Sequence, residues 1–90
     1  MTDQEFIGRR IATVRRLRHM KQVDLGAAIG VTDQTISNWE VGLRTPRSDL
    51  LSKLCQELRC SADYLLGLTN DPPAYEGDPA ENGDTRDIQM

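Results

Sequence analysis

Residues Gln22 to Val41 read QVDLGAAIGVTDQTISNWEV, two short helical patterns joined by a turn too tight for the helices to stack antiparallel. In the first, Val23, Leu25 and Ile29 supply apolar surface, while Gly26, Ala27 and Ala28 keep the helix narrow enough for another to cross it closely. Gly30 gives the chain positive φ at no steric cost just past the helix end, and Val31 fills the corner. Thr32 is placed to accept from the N–H groups of the next turn, so the second helix starts near Asp33 and runs through Trp39. Ile36 and Trp39 then face inward with Thr35 partly covered, leaving Asp33, Gln34, Ser37 and Asn38 outside. The unit is a helix-turn-helix. Its outer amides and hydroxyls suit the donor and acceptor edges of bases in a DNA major groove; read blandly, they are a solvated face on a helical hairpin.

Outward from this centre the chain is small and all-helical. Ninety residues allow one domain, and apolar residues thin out after Leu68. Aromatics are scarce and apolar positions recur at three and four, as helices require. No apolar run approaches the roughly 20 residues that span a bilayer, and no signal-peptide segment opens the chain, so a soluble cytoplasmic protein is expected, with no membrane partner. The net charge of −3 is divided unevenly. Residues 1–68 hold ten Lys and Arg against eight acids, net +2, whereas residues 69–90 hold Arg86 against six acids, net −5. A metal site would need more ligands than Cys55, Cys60 and the single His19 supply, so both cysteines are expected to be small buried apolar residues, with no cofactor.

Thr2-Asp3-Gln4-Glu5 reads as a capping box, starting a first helix that runs to about His19 with Phe6, Ile7, Ile11 and Val14 inward. Arg9, Arg10, Arg16 and Arg18 fall on or beside its wetter face, as solubilising charge or phosphate contacts. Gln22 opens the second helix, where its side chain, the free backbone N–H groups and the helix dipole together favour a phosphate. Gly42 to Pro46 leaves the third helix as a loop from which Arg44, Thr45 and Arg47 project. Ser48-Asp49 is expected to cap a fourth helix with Leu50, Leu51, Leu54, Cys55 and Leu58 inward and Arg59 just past its end. Ser61 caps a last helix to about Leu66, bringing Leu65 and Leu66 onto the core and leaving Tyr64 and Leu68 less covered. Asn70 to Met90, rich in proline, glycine and acids, is expected to be disordered and to add nothing to folding.

Gln22, Leu25, Gly30-Val31-Thr32, Ile36, Trp39-Glu40, Gly42 and Pro46 stand in an order that resembles the Cro/C1 family of repressors, also called XRE-type helix-turn-helix regulators. The resemblance runs from about Ile7-Gly8 to Leu65-Leu66-Gly67. It implies an all-α, five-helix, lambda-repressor-like DNA-binding domain over residues 1–68, followed by a disordered acidic tail or linker, residues 69–90. It also implies that Arg15 pairs with Glu40, the glutamate after the third-helix tryptophan, and that Gln22 contacts the DNA backbone. Gly26 stands where the family usually has alanine, a change expected only to weaken the helix, by up to about 1 kcal/mol, and Arg59 stands where the family usually has glycine, which implies a left-handed residue there at a cost of roughly 1 kcal/mol.

The expected function is sequence-specific binding of a double-stranded, pseudo-palindromic operator by a homodimer, as a repressor in a bacterial cell or phage-infected host. Gln34, Asn38, Asp33 and Ser37 are the expected base contacts; Gln22, Thr32, Arg44, Thr45 and Arg47 are the expected phosphate contacts. No paired carboxylate, activated nucleophile or metal set supports an enzyme. The alternative is an antitoxin-like module whose residues 69–90 grip a protein partner while DNA binding serves autoregulation.

Overall fold

The computed structural model describes residues 2–73, which form five helices: α1 (Asp3–Leu17), α2 (Gln22–Ile29), α3 (Asp33–Glu40), α4 (Ser48–Leu58) and α5 (Ala62–Leu66). Residues 74–90 of the expected acidic tail lie outside the described residues. Three helices start as hydroxyl chemistry dictates. Thr2 Oγ1 accepts from the Glu5 N–H at 3.1 Å while Glu5 Oε1 accepts from the Thr2 N–H at 2.9 Å; Thr32 and Ser61 each accept, at 3.1 Å, from the N–H three residues on. The fourth start differs from expectation. Arg47 is its N-cap without a side-chain cap bond, and Ser48 already lies in the helix, because the buried Pro46 sets the chain's entry one residue earlier.

The helix ends are equally local. Gly30 takes φ 85°, and its N–H and that of Val31 both donate to the Gly26 carbonyl, at 2.9 and 2.8 Å. Arg59 takes the left-handed conformation, φ 54°. α1 stops at Leu17 rather than His19, since His19 itself turns left-handed at φ 59° and the Met20 N–H closes onto the Arg15 carbonyl at 3.1 Å.

Each helix gives two side chains to one core: Ile11 and Val14, Leu25 and Ile29, Ile36 and Trp39, Leu54 and Leu58, Tyr64 and Leu65. Burying each such side chain is worth roughly 1.5–3 kcal/mol, so the domain depends on a short list of residues. Cys55 and Cys60 pack against this core, and burial raises both thiols, Cys60 to about 11, which keeps them protonated at neutral pH.

Four expectations fail. Val23 is 55% exposed, while Leu25, Gly26 and Ile29 are the residues of α2 that are buried. Tyr64 is buried and Leu66 exposed, the reverse of the expectation; Arg10 covers the Tyr64 ring at 4.0 Å and also lies over Phe6 at 4.7 Å. Arg10 and Arg18 leave the wet face of α1 to satisfy carbonyls. Arg10 Nη1 donates to the Tyr64 and Thr69 carbonyls at 2.9 and 2.8 Å, and its Nη2 to Asn70 Oδ1 at 2.6 Å. Arg18 Nε and Nη2 reach the Leu58 and Arg59 carbonyls at 2.8 and 2.9 Å, at the C-terminal end of α4. Finally, Gly26 does more than weaken a helix: a Cβ there would stand 2.6 Å from the Val31 carbonyl oxygen, so the α2–α3 turn closes only around a glycine.

Gly26→Ala should therefore destabilise the domain by about 1–3 kcal/mol in thermal or urea unfolding, although propensity alone predicts a gain of up to about 1 kcal/mol; a more stable alanine variant would contradict the crossing described. Because Arg10 clasps Thr69 and Asn70, a chain ended at Leu68 should melt about 4–8 °C below one ended at Asp71, the shift of roughly 1 kcal/mol in a domain of this size. Equal melting temperatures would show the clasp to be energetically idle.

Candidate nucleic-acid interface

α3 is held on its inner side by Ile36 and Trp39, 0% and 3% exposed, and at its C-terminal end by Glu40. Gly8 of α1 lies so close that a Cβ there would collide with the Trp39 and Glu40 carbonyls, which brings α1 hard against the end of α3. Across that contact Arg15 Nε donates to Glu40 Oε2 at 2.6 Å and Nη2 to Oε1 at 3.1 Å, with the side chains only 11% and 6% exposed. Arg15 Nη1 also donates to the Met20 carbonyl at 2.8 Å, in the turn before α2. Glu40 Oε1 accepts a further bond from Gln22 Nε2 at 2.9 Å. One carboxylate thus gathers α1 and the first residue of α2 onto the last residue of α3, and the buried charges are answered by bonds.

Gln22 therefore spends one amide N–H on Glu40 and retains another N–H and its carbonyl oxygen. It lines an open groove with Arg9, Arg16 and Glu40, so these two arginines flank the N-terminus of α2 and raise the positive potential there.

On the opposite, outer side of α3, Asp33 and Gln34 are exposed and Ser37 and Asn38 half-buried. Gln34 Nε2 donates to Asn38 Oδ1 at 3.0 Å, one helical turn away. Thr32 Oγ1, besides capping α3, shares a hydrogen bond with Thr35 Oγ1 at 3.0 Å. The loop after α3 folds back onto it, the Leu43 and Arg44 N–H groups donating to the Asn38 carbonyl at 2.9 and 3.2 Å. Arg44, Thr45 and Arg47 are exposed on that loop. Thr45 Oγ1 accepts from Gln4 Nε2 at 3.0 Å, a link from α1 that sequence reasoning missed, and Arg47 meets Asp49 at 3.4 Å in an exposed pair worth little. The arrangement offers amide and hydroxyl donors and acceptors, with the Asp33 carboxylate at their N-terminal end, on a helix fixed on its inner side, and a loop carrying Arg44 and Arg47 tied to its other end. Among the described residues no cluster of three or more His, Cys, Asp or Glu stands ready for a metal, and no helix is long and apolar enough to cross a membrane.

A family model described as helix-turn-helix matches residues 11–65. Repressor protein C2 of Salmonella phage P22 is 37% identical over 64 residues, a span covering 71% of this chain and 30% of that protein. An uncharacterized HTH-type transcriptional regulator of Sinorhizobium fredii is 32% identical over 77 residues, 86% of this chain and 54% of the relative. The match thus spans about a third of the first relative and half of the second. Among solved structures, the P22 c2 repressor crystallised in complex with a synthetic operator superposes with a TM-score of 0.65 at 37% identity, covering 67% of this chain and 91% of that one.

Removing the carboxylate from this centre strands the Arg15 charge. Glu40→Ala should cost about 3 kcal/mol in chemical denaturation, well beyond an ordinary surface change. A variant as stable as the parent would mean that the pair is solvated.

Proposed function

The chain belongs to the helix-turn-helix family, of the Cro/C1 type, and from that premise we propose that it is a repressor that binds a pseudo-palindromic double-stranded operator as a homodimer, with half-sites about 34 Å apart. As a member of this family it is a DNA-binding regulator and not an enzyme. In this reading residues 1–68, with Thr69 and Asn70 fastened to them, are the DNA-binding unit, at work in the cytoplasm of a bacterial or phage-infected cell.

The observation that carries the reading is the outer face of α3, where Asp33, Gln34, Ser37 and Asn38 present polar groups from a helix fixed on its other side. Gln34 is the main base contact, since an amide in the first turn of such a helix matches adenine N7 and N6. Asn38 reads beside it, Ser37 assists, and Asp33, able to accept from cytosine but repelled by phosphates, ranks last. Gln22 through its remaining N–H, Thr32, Arg44, Thr45 and Arg47 hold the phosphates. The P22 repressor's structure on a synthetic operator supports DNA binding by likeness.

Reading and holding separate in a binding assay. Gln34→Ala should lose roughly 1–3 kcal/mol on the selected operator and relax preference at one base pair, with non-specific binding nearly unchanged. Arg44→Ala should weaken operator and scrambled duplex alike and reduce the salt slope by about one unit. If Gln34→Ala weakened both duplexes equally, base reading by α3 would be wrong.

A further inference from the structure

The loop that carries Arg44, Thr45 and Arg47 is fastened to the first turn of α1 as well as to α3. Gly42, at φ 85°, comes so close to Glu5 that a Cβ on it would stand 2.7 Å from Glu5 Cγ and 2.9 Å from Glu5 Cα. Three residues on, Thr45 Oγ1 accepts from Gln4 Nε2 at 3.0 Å, across 41 positions of sequence. Pro46 follows and is buried. The segment from Gly42 to Pro46 is thus anchored at both ends, with the Thr45 side chain exposed between them and tied to Gln4.

The direction of that bond matters, because a phosphodiester offers acceptors only. A threonine hydroxyl has one proton and two lone pairs. Accepting from Gln4 occupies one lone pair and leaves the proton free to point at a phosphate oxygen, whereas donating to Gln4 would commit the proton to the protein. An amide can serve the hydroxyl either way, but only the donating way is compatible with a phosphate contact by Thr45. We propose that Gln4 is a positioning residue for DNA, which from α1 holds the Thr45 hydroxyl with its proton turned toward the backbone. The inference rests on the assignment of Thr45 to a phosphate, and it adds a residue outside the helix-turn-helix and its loop that acts through Thr45.

The test measures binding of the full chain to operator and scrambled duplexes for Thr45→Val, Gln4→Met and Gln4→Glu, and for each Gln4 change combined with Thr45→Val. Both residues are exposed, so unchanged melting serves as the folding control. Thr45→Val should weaken both duplexes about tenfold, the worth of a hydrogen bond to a charged group, and leave the salt slope unaltered because no cation is lost. Gln4→Met, of similar length but without a donor, should cost about twofold to threefold, since the hydroxyl is then free to turn. Gln4→Glu should approach the loss of Thr45→Val, because a carboxylate only accepts and captures the hydroxyl proton. Once Thr45→Val has removed the hydroxyl, Gln4→Glu should add no more than about twofold, from its screened charge alone. Equal losses for Gln4→Glu with and without the hydroxyl, or parental binding by both Gln4 variants, would overturn the positioning role while a weakened Thr45→Val left the phosphate contact standing. Thr45→Val binding as tightly as the parent would overturn the inference together with the assignment of Thr45 beneath it.

Discussion

Two charges almost withdrawn from water, those of Arg15 and Glu40, decide how the three N-terminal helices meet. A pair this buried gains little net stability, because desolvation offsets much of the attraction, but it tolerates few geometries. The guanidinium must present its fork to the carboxylate while its third nitrogen faces the Met20 carbonyl, which sets the turn between α1 and α2. The carboxylate must also receive Gln22, which sets the start of α2 against the end of α3. A displacement of α3 that broke the pair would leave two nearly buried charges without their partners, so the orientation of the outer face is tied to a discrete bonded state. Gly8 and Gly26 complete the constraint sterically, by letting backbone approach where any side chain would collide.

The other arginines of α1 show how a domain with a small core economises on chain. Arg10 and Arg18 span from α1 to carbonyls of α5 and α4, groups that a helix end otherwise leaves to water. Their charges are absorbed in the body of the protein. Among the other cations, Arg9 and Arg16 stand beside Gln22, and Arg44 and Arg47 are exposed on the loop after α3. A globule of net charge +2 can favour DNA in this way, by where its charges stand rather than by their sum.

What was legible in the sequence is what local chemistry and periodicity decide. Thr2, Thr32 and Ser61 announce helix starts, Gly30 an end, and the apolar spacing from Ile11 to Leu65 a core, since each depends on neighbours within a turn or two. The outward side of α3 was legible for the same reason. Arg10 reaches carbonyls 54 and 59 residues ahead, a relation that no window along the chain reveals, and with it went the order of burial of Tyr64 and Leu66. Gly26 resembled a helix defect because its reason is a backbone oxygen on the next element. The Arg15–Glu40 pair is anticipated by the resemblance to Cro/C1 regulators, but nothing in the sequence around Gln22 reveals its bond to the same carboxylate, which comes from a residue 18 positions ahead.

Everything proposed for this chain requires that α3's outer face, not another surface, meets DNA. Amide chemical shifts of the isotopically labelled chain, followed while a selected duplex is titrated in, test it most directly. The largest changes are expected at Thr32 to Asn38, at Gln22 and along Arg44 to Arg47, with the solvent side of α4 near Lys53 and Glu57 unmoved. Changes concentrated on α4 and α5, with Gln34 and Asn38 silent, would contradict it.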